Sequence, residues 1–76
     1  MRIYSWNVNG IRAVDKKGFL DWIEEEQPEV LGLQEIRIQD HQLKDKLRNI
    51  DGYHSYFNFG ERKGYSGVAI YKKRAS

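Results

Sequence analysis

Residues 29–35 read Glu29-Val30-Leu31-Gly32-Leu33-Gln34-Glu35, directly after Pro28. Three aliphatics in a window this short, bounded by charged residues, fit a buried strand better than a helix, which needs more length. Gly32 in the middle points to a close approach by a neighbouring backbone. Upstream, Arg2 to Asn7 sets Ile3 and Ser5 against Tyr4 and Trp6. Both faces carry apolar residues, as in a strand covered on both sides.

Between these runs Asp15 reads as a helix N-cap. Phe19, Trp22, Ile23 and Glu26 follow at helical spacing, and Pro28 ends the pattern. Glu24, Glu25 and Glu26 fall late in that helix, where they oppose its macrodipole, so packing must hold it. Strand, helix and strand within about 35 residues make a β-α-β unit. If its strands pair in parallel, the crossover is right-handed and both strand C-termini reach one end of the sheet.

Beyond Glu35 the pattern weakens. Gln42 to Arg48 reads as a short helix carrying Leu43 and Leu47. Tyr53 to Phe59 alternates like a strand, Gly60 to Gly67 reads as a glycine-rich loop, and Val68 to Lys72 reads as a strand antiparallel to the one before. The expected architecture is therefore α/β: β-α-β followed by a β-hairpin.

The 76 residues allow one domain at most. A domain this size buries only about 60% of the surface its unfolded chain exposes. There is no cysteine, so neither a disulfide nor a thiolate-bound metal braces it. Thirteen basic residues against eleven acidic give a net charge of +2, which permits contact with phosphates without requiring it. No apolar run approaches the ~18 residues of a membrane span, and the N-terminus lacks the apolar core of a signal peptide. The expected location is cytoplasmic, with no membrane partner. An aromatic content of 13%, with two tryptophans, does not look like that of a disordered chain.

One constellation carries chemistry. Asn7 and Asn9 finish the first strand and Glu35 finishes the second, so parallel pairing would bring all three to the end of the sheet where open sheets carry their sites. Carboxylate and amide oxygens are hard ligands suited to Mg²⁺ or Mn²⁺. The same residues also read as an ordinary Asn9-Gly10 turn and a solvated strand end. Arg12 and Arg37 lie just beyond, placed to meet a phosphate or to neutralise the glutamate. The loop Glu61-Arg62-Lys63-Gly64-Tyr65-Ser66-Gly67 offers two cations, backbone N–H groups and an aromatic, the makings of a phosphate cradle or of a plain hairpin loop. It is not a P-loop, since no Lys-Ser/Thr follows its second glycine. His41 and His54 have no telling partners and read as surface or strand residues. Tyr4, Trp6, Phe19 and Trp22 read as core, and Lys72-Lys73-Arg74 as solvated.

Four segments carry a resemblance: SWNVNGIRA (5–13), GFLDWIEEEQPEVLGLQEIR (18–37), GYHSYF (52–57) and RKGYSGVAIYKK (62–73). Together they resemble the N-terminal part of the exodeoxyribonuclease III family of apurinic/apyrimidinic endonucleases, within the endonuclease/exonuclease/phosphatase superfamily. The resemblance covers nearly the whole chain. It implies a two-sheet α/β sandwich and Mg²⁺-dependent cleavage of the DNA backbone beside a lost base, with 3′-end trimming in many relatives.

By position it implies Glu35 as main metal ligand, with Asn7 in the metal and phosphate site. Both would act catalytically through the metal. Asn9 stands where other members have an aspartate and would support the site. Arg12 and the Lys63-Gly64-Tyr65 segment match stretches that contact DNA, and Arg37 stands where relatives often have lysine. The family takes its base, its orienting histidine and aspartate, and the tyrosine and asparagine of its phosphate pocket from later in the chain. None of Asp15, Asp21, Asp40, Asp45 or Asp51 sits in a matching motif, so no substitute base is assigned.

The resemblance thus implies that residues 1–76 are an incomplete N-terminal segment of one such domain, inactive and poorly folded alone. The implied partner is double-stranded DNA with abasic sites or 3′ ends, with no obligate protein partner. Two other readings stay open: a non-catalytic DNA-binding fragment, and a superfamily phosphatase acting on lipid or inositol phosphates.

Overall fold

The structure, a computed structural model, describes residues 1–60 and 67–75. It is a mixed α/β fold. Strand β1 (Ile3–Asn7) leads through helices α1 (Ile11–Lys16) and α2 (Phe19–Glu26) to β2 (Val30–Gln34). A 3₁₀ turn at Asp40–Gln42 and helix α3 (Asp45–Arg48) precede β3 (Tyr53–Asn58) and β4 (Val68–Lys73). The four strands form one sheet in the order β1-β2-β4-β3. β1 and β2 are parallel, with Asn7 opposite Gln34, and the β3–β4 pair is antiparallel as expected. Nothing in the sequence had placed β4 between β2 and β3, where it also pairs antiparallel with β2.

The helical stretch differs from the expectation. Asp15 is inside α1 and caps nothing; α2 begins after Gly18, whose φ of 91° is left-handed. Glycine adopts that conformation without a Cβ penalty, so the periodic stretch Phe19–Glu26 starts there as α2, behind a separate helix α1 that the spacing did not announce. Asp15 instead forms an ion pair with Lys46 Nζ at 3.2 Å, tying α1 to α3. The unfavourable acids at the end of α2 are managed by the strand beside them. Arg2 Nη1 donates to the Glu26 carbonyl at 2.7 Å and the same guanidinium pairs with the Glu26 carboxylate. Gln27 closes the helix in a left-handed conformation one residue before Pro28.

The helices cover one face of the sheet. Register and alternation place Leu31, Leu33, Ala69 and Tyr71 on that face, where they pack with Ile11, Val14, Phe19, Ile23 and Leu47 in one buried cluster. Each large aliphatic buried there contributes roughly 1.5–3 kcal/mol by leaving water. Phe19, Tyr71 and Phe57 join by ring contacts near 6 Å, and Trp22 meets Tyr4 and Trp6 edge-on. Two buried phenols carry their hydroxyls to backbone acceptors: Tyr53 donates to the Pro28 carbonyl at 2.6 Å and Tyr71 to that of Leu47 at 2.7 Å. Phe19 is core as expected, whereas Trp6 sits at the rim, partly exposed.

The opposite face is open among the described residues. Ile3, Ile70, Val68 and Tyr56 lie on it and are exposed. β1 is an edge strand of this sheet, and among the described residues helices cover one face of it. A single sheet is present; the second sheet of a sandwich is not among the described residues. Gly32 faces this open side, and among the described residues a Cβ there would meet only ordinary contacts at 3.8 Å and 3.9 Å. No helix among the described residues is long and apolar enough to cross a membrane.

Candidate functional site

Parallel pairing delivers what the spacing required. β1 and β2 both end at the same end of the sheet, and the chain leaves each through backbone that interlocks with the other. Val8 N–H donates to the Gln34 carbonyl at 3.1 Å, Gly10 N–H to that of Glu35 at 2.8 Å, and Ile11 N–H to that of Ile36 at 2.9 Å. A third segment joins from the far side, where Ile36 N–H donates to the Gly67 carbonyl at 3.2 Å. Ile36 is fully buried. The residues on either side of it are therefore held by a pinned and anchored backbone.

That backbone is strained. Asn9, Glu35 and Arg37 have φ of 46°, 53° and 50°. Asparagine tolerates this region, but Glu and Arg do not favour it, and each such residue costs roughly 1–3 kcal/mol. Asn9 is followed by Gly10 at φ 106°, which turns the chain into α1. Gly67 also has positive φ, 94°, and a Cβ on it would fall 2.9 Å from Ile36 Cγ1 and 3.2 Å from the Asn58 carbonyl oxygen. Only glycine fits against Ile36 at this point.

The strained bends put the polar side chains together. Asn7 Nδ2 donates to Glu35 Oε2, and Arg37 Nη2 donates to Glu35 Oε1 at 2.9 Å. Asn7 is fixed in turn, because its Oδ1 accepts the Asn9 N–H at 3.1 Å. The guanidinium of Arg37, and after it the Asn7 amide, hold the Glu35 carboxyl below its ordinary pKa. Behind them Gln34 Nε2 donates to Ser5 Oγ at 3.0 Å, bracing the two strand ends from the open face.

Of the residues singled out from sequence, Asn7, Asn9, Glu35 and Arg37 meet in this cluster. Arg12 follows it on the first turn of α1, exposed and with no ion pair among the described residues. Lys63, Gly64 and Tyr65 lie outside the described residues. Sequence reasoning missed the part played by Ile36 and Gly67. Gly67 left a trace, as the last glycine before a strand; the left-handed conformations of Glu35 and Arg37 leave none in residue type. The roomier cavities open elsewhere, one of about 620 Å³ between α2 and the α3–β3 turn, lined by Leu20, Ile23, Lys46 and Ile50 among others.

The donor set matches a hard divalent cation in kind. Glu35 offers a partly exposed carboxylate, while Asn7 turns its Nδ2 to that carboxylate and its Oδ1 to the Asn9 N–H, so that it orients Glu35 in this arrangement. In number it is spare: no group of three or more His, Cys, Asp or Glu residues gathers among the described residues. Mg²⁺ accepts such a site, since it keeps several waters and binds through one or two carboxylates plus substrate phosphates.

Comparison with known proteins places this arrangement. The model of the endonuclease/exonuclease/phosphatase family matches residues 4–75. An exodeoxyribonuclease of Bacillus subtilis is 47% identical over 75 residues, covering 97% of this chain and 29% of that protein. A DNA-(apurinic or apyrimidinic site) endonuclease of Dictyostelium discoideum is 39% identical over 74 residues, 97% of this chain and 20% of that protein. Among solved structures, the catalytic domain of Xenopus laevis APE2 superposes with a TM-score of 0.81 at 39% identity, over 96% of this chain and 23% of that one. The chain thus spans less than a third of the length of the curated relatives it matches.

Proposed function

The chain belongs to the endonuclease/exonuclease/phosphatase family, and from that membership we propose that it carries the metal- and phosphate-binding end of a nuclease that hydrolyses the DNA backbone at abasic sites and 3′ ends. The observation that carries the reading is the meeting of Asn7 and Glu35 at the shared end of two parallel strands. The names of the relatives support DNA as substrate.

Phosphodiester hydrolysis needs a polarised phosphoryl oxygen, an activated water and a stabilised leaving oxygen. Glu35, with Asn7 beside it, would hold Mg²⁺ or Mn²⁺, and the bound ion supplies the charge for the first and third of these needs. Asn7 orients the Glu35 carboxylate through its amide N–H. Asn9 fixes Asn7 through its backbone N–H. Arg12 and Arg37 present guanidinium groups beside the same end of the sheet, suited to phosphate oxygens. Water activation needs a base, and no described residue stands in that role, so the reading assigns to this chain binding and orientation but not turnover.

A second reading has its own observation. Arg12, exposed and without an ion pair among the described residues, and Arg37, about half exposed, suit a DNA-binding segment with no hydrolysis of its own. One experiment separates the two: binding and incision of a duplex carrying a single abasic site, in Mg²⁺ and in chelator, by the chain and by Glu35→Ala. Binding strengthened by Mg²⁺, lost with Glu35→Ala and without incision, is the expected result. Mg²⁺-independent, salt-sensitive binding that Glu35→Ala leaves intact would favour the non-catalytic module. Incision abolished by Glu35→Ala would overturn the claim that this chain lacks the means of turnover.

A further inference from the structure

Each side-chain oxygen of Glu35 accepts one hydrogen bond. Oε2 accepts from Asn7 and Oε1 accepts from Arg37 at 2.9 Å. Arg37 is the cation on this carboxylate among the described residues. Its position is set by the backbone: Glu35 and Arg37 flank buried Ile36, both at left-handed φ, and Ile36 is bound on one side by Gly67 and on the other by Ile11. The two side chains are brought onto one side of the chain by this bend. The Arg37 side chain beyond the pinned backbone is about half exposed, so its guanidinium has room to leave.

We propose that Arg37 is a built-in stand-in for the divalent cation: it compensates the Glu35 carboxylate that the ion would bind, weakens ion binding by that competition, and turns toward a DNA phosphate once that compensation is redundant. The proposal rests on the reading of Glu35 as the metal-holding carboxylate. The physics is competition. A guanidinium on the carboxylate offsets the negative charge that would attract a divalent ion, and like charges a few ångströms apart repel. Without the ion, Arg37 keeps the carboxylate compensated. With the ion, that compensation is redundant, and a planar guanidinium suited to two-point contact with a phosphate is set free beside it. Arg12, exposed and without an ion pair among the described residues, needs no such trigger.

The test is Mn²⁺ binding to the full chain, followed by the paramagnetic signal of the free ion, for wild type, Glu35→Gln, Arg37→Gln and Arg37→Lys. Arg37→Gln is expected to bind Mn²⁺ roughly 2- to 5-fold more tightly, the range that breaking an exposed ion pair provides. Arg37→Lys should fall between the two. A misfolded variant does not gain affinity, so a gain separates competition from a structural role. With Mn²⁺ saturating, Arg37→Gln should bind duplex DNA more weakly than wild type. Unchanged Mn²⁺ affinity in Glu35→Gln would sink the underlying reading of the site. Weaker binding in Glu35→Gln together with unchanged or weaker binding in both Arg37 variants would overturn the stand-in role alone.

Discussion

Two regions of this small sheet are held in place by different means. On the helix-covered face, Leu31, Leu33, Ala69 and Tyr71 are fixed by burial against α1, α2 and α3. At the end of the parallel strands, exposed Asn7 and Arg37 and half-buried Glu35 are fixed by hydrogen bonds and by a backbone bent through left-handed conformations. The first region stores stability and the second spends some of it on geometry. Ile36 joins them: buried with the core, it pins the bend that aims its two neighbours outward. Strain of this kind persists only where the surroundings over-determine it, and here two other segments are bonded to one residue.

The contrast breaks first at the core. Leu33→Ala should cost about 2–5 kcal/mol in urea unfolding, through lost transfer energy and a cavity the sheet cannot close. Ile70→Thr, on the open face of the adjacent strand, should stay within about 0.5 kcal/mol. Equal losses would mean that the open face is packed in solution, against the one-sided burial described above.

A smaller effect sharpens the link between the regions. Gly67→Ala puts a Cβ 2.9 Å from Ile36 Cγ1 at a φ that disfavours any side chain. It should cost roughly 1–3 kcal/mol. Its amide chemical-shift changes should centre on residues 34–37 rather than on the helices. Changes confined to β4 would show that Gly67 does not brace the site.

The smallest effect is in the pH dependence of the core. Burial, and after it the nearby Asp15 carboxylate, push the Tyr71 hydroxyl well above its ordinary value. A group raised on folding contributes stability that is whole below its unfolded pKa of about 10 and is lost as pH climbs from there. Unfolding free energy should therefore fall with alkalinity above about pH 10. In Tyr71→Phe that fall should be reduced, with about 1 kcal/mol lost at neutral pH for the hydrogen bond to Leu47. Identical alkaline slopes in the two proteins would remove Tyr71 as their cause.

How much of this was legible in the residues follows the same division. Burial repeats along a strand or helix, so Leu31 and Leu33, or Phe19 and Ile23, announce their face by spacing. The strand ends that gather Asn7 and Glu35 followed from the β-α-β pattern and parallel pairing alone. What did not follow was set by contacts between distant segments. The entry of β4 beside β2 depends on long-range pairing that no local period records. The helix break at Gly18 is a backbone event, hidden because Asp15 offers an equally good local signal. The left-handed Glu35 and Arg37 run against their own preferences, and only the bonds to Gly10, Ile11 and Gly67 make them legible. The cover expected over Ile3 is not among the described residues, and the alternation could not name it: an apolar face avoids water without saying which partner shields it.

The central claim is that Glu35, oriented by Asn7 at the shared end of β1 and β2, is where this chain holds a divalent ion. The most direct measurement is site-resolved: amide resonances of the full chain followed as Mn²⁺ is added, in wild type and in Glu35→Gln. The account predicts early broadening confined to residues 7–10 and 34–37, and its loss in Glu35→Gln with the unfolding midpoint unmoved. Broadening centred on Glu24, Glu25 and Glu26, or unchanged in Glu35→Gln, would contradict it.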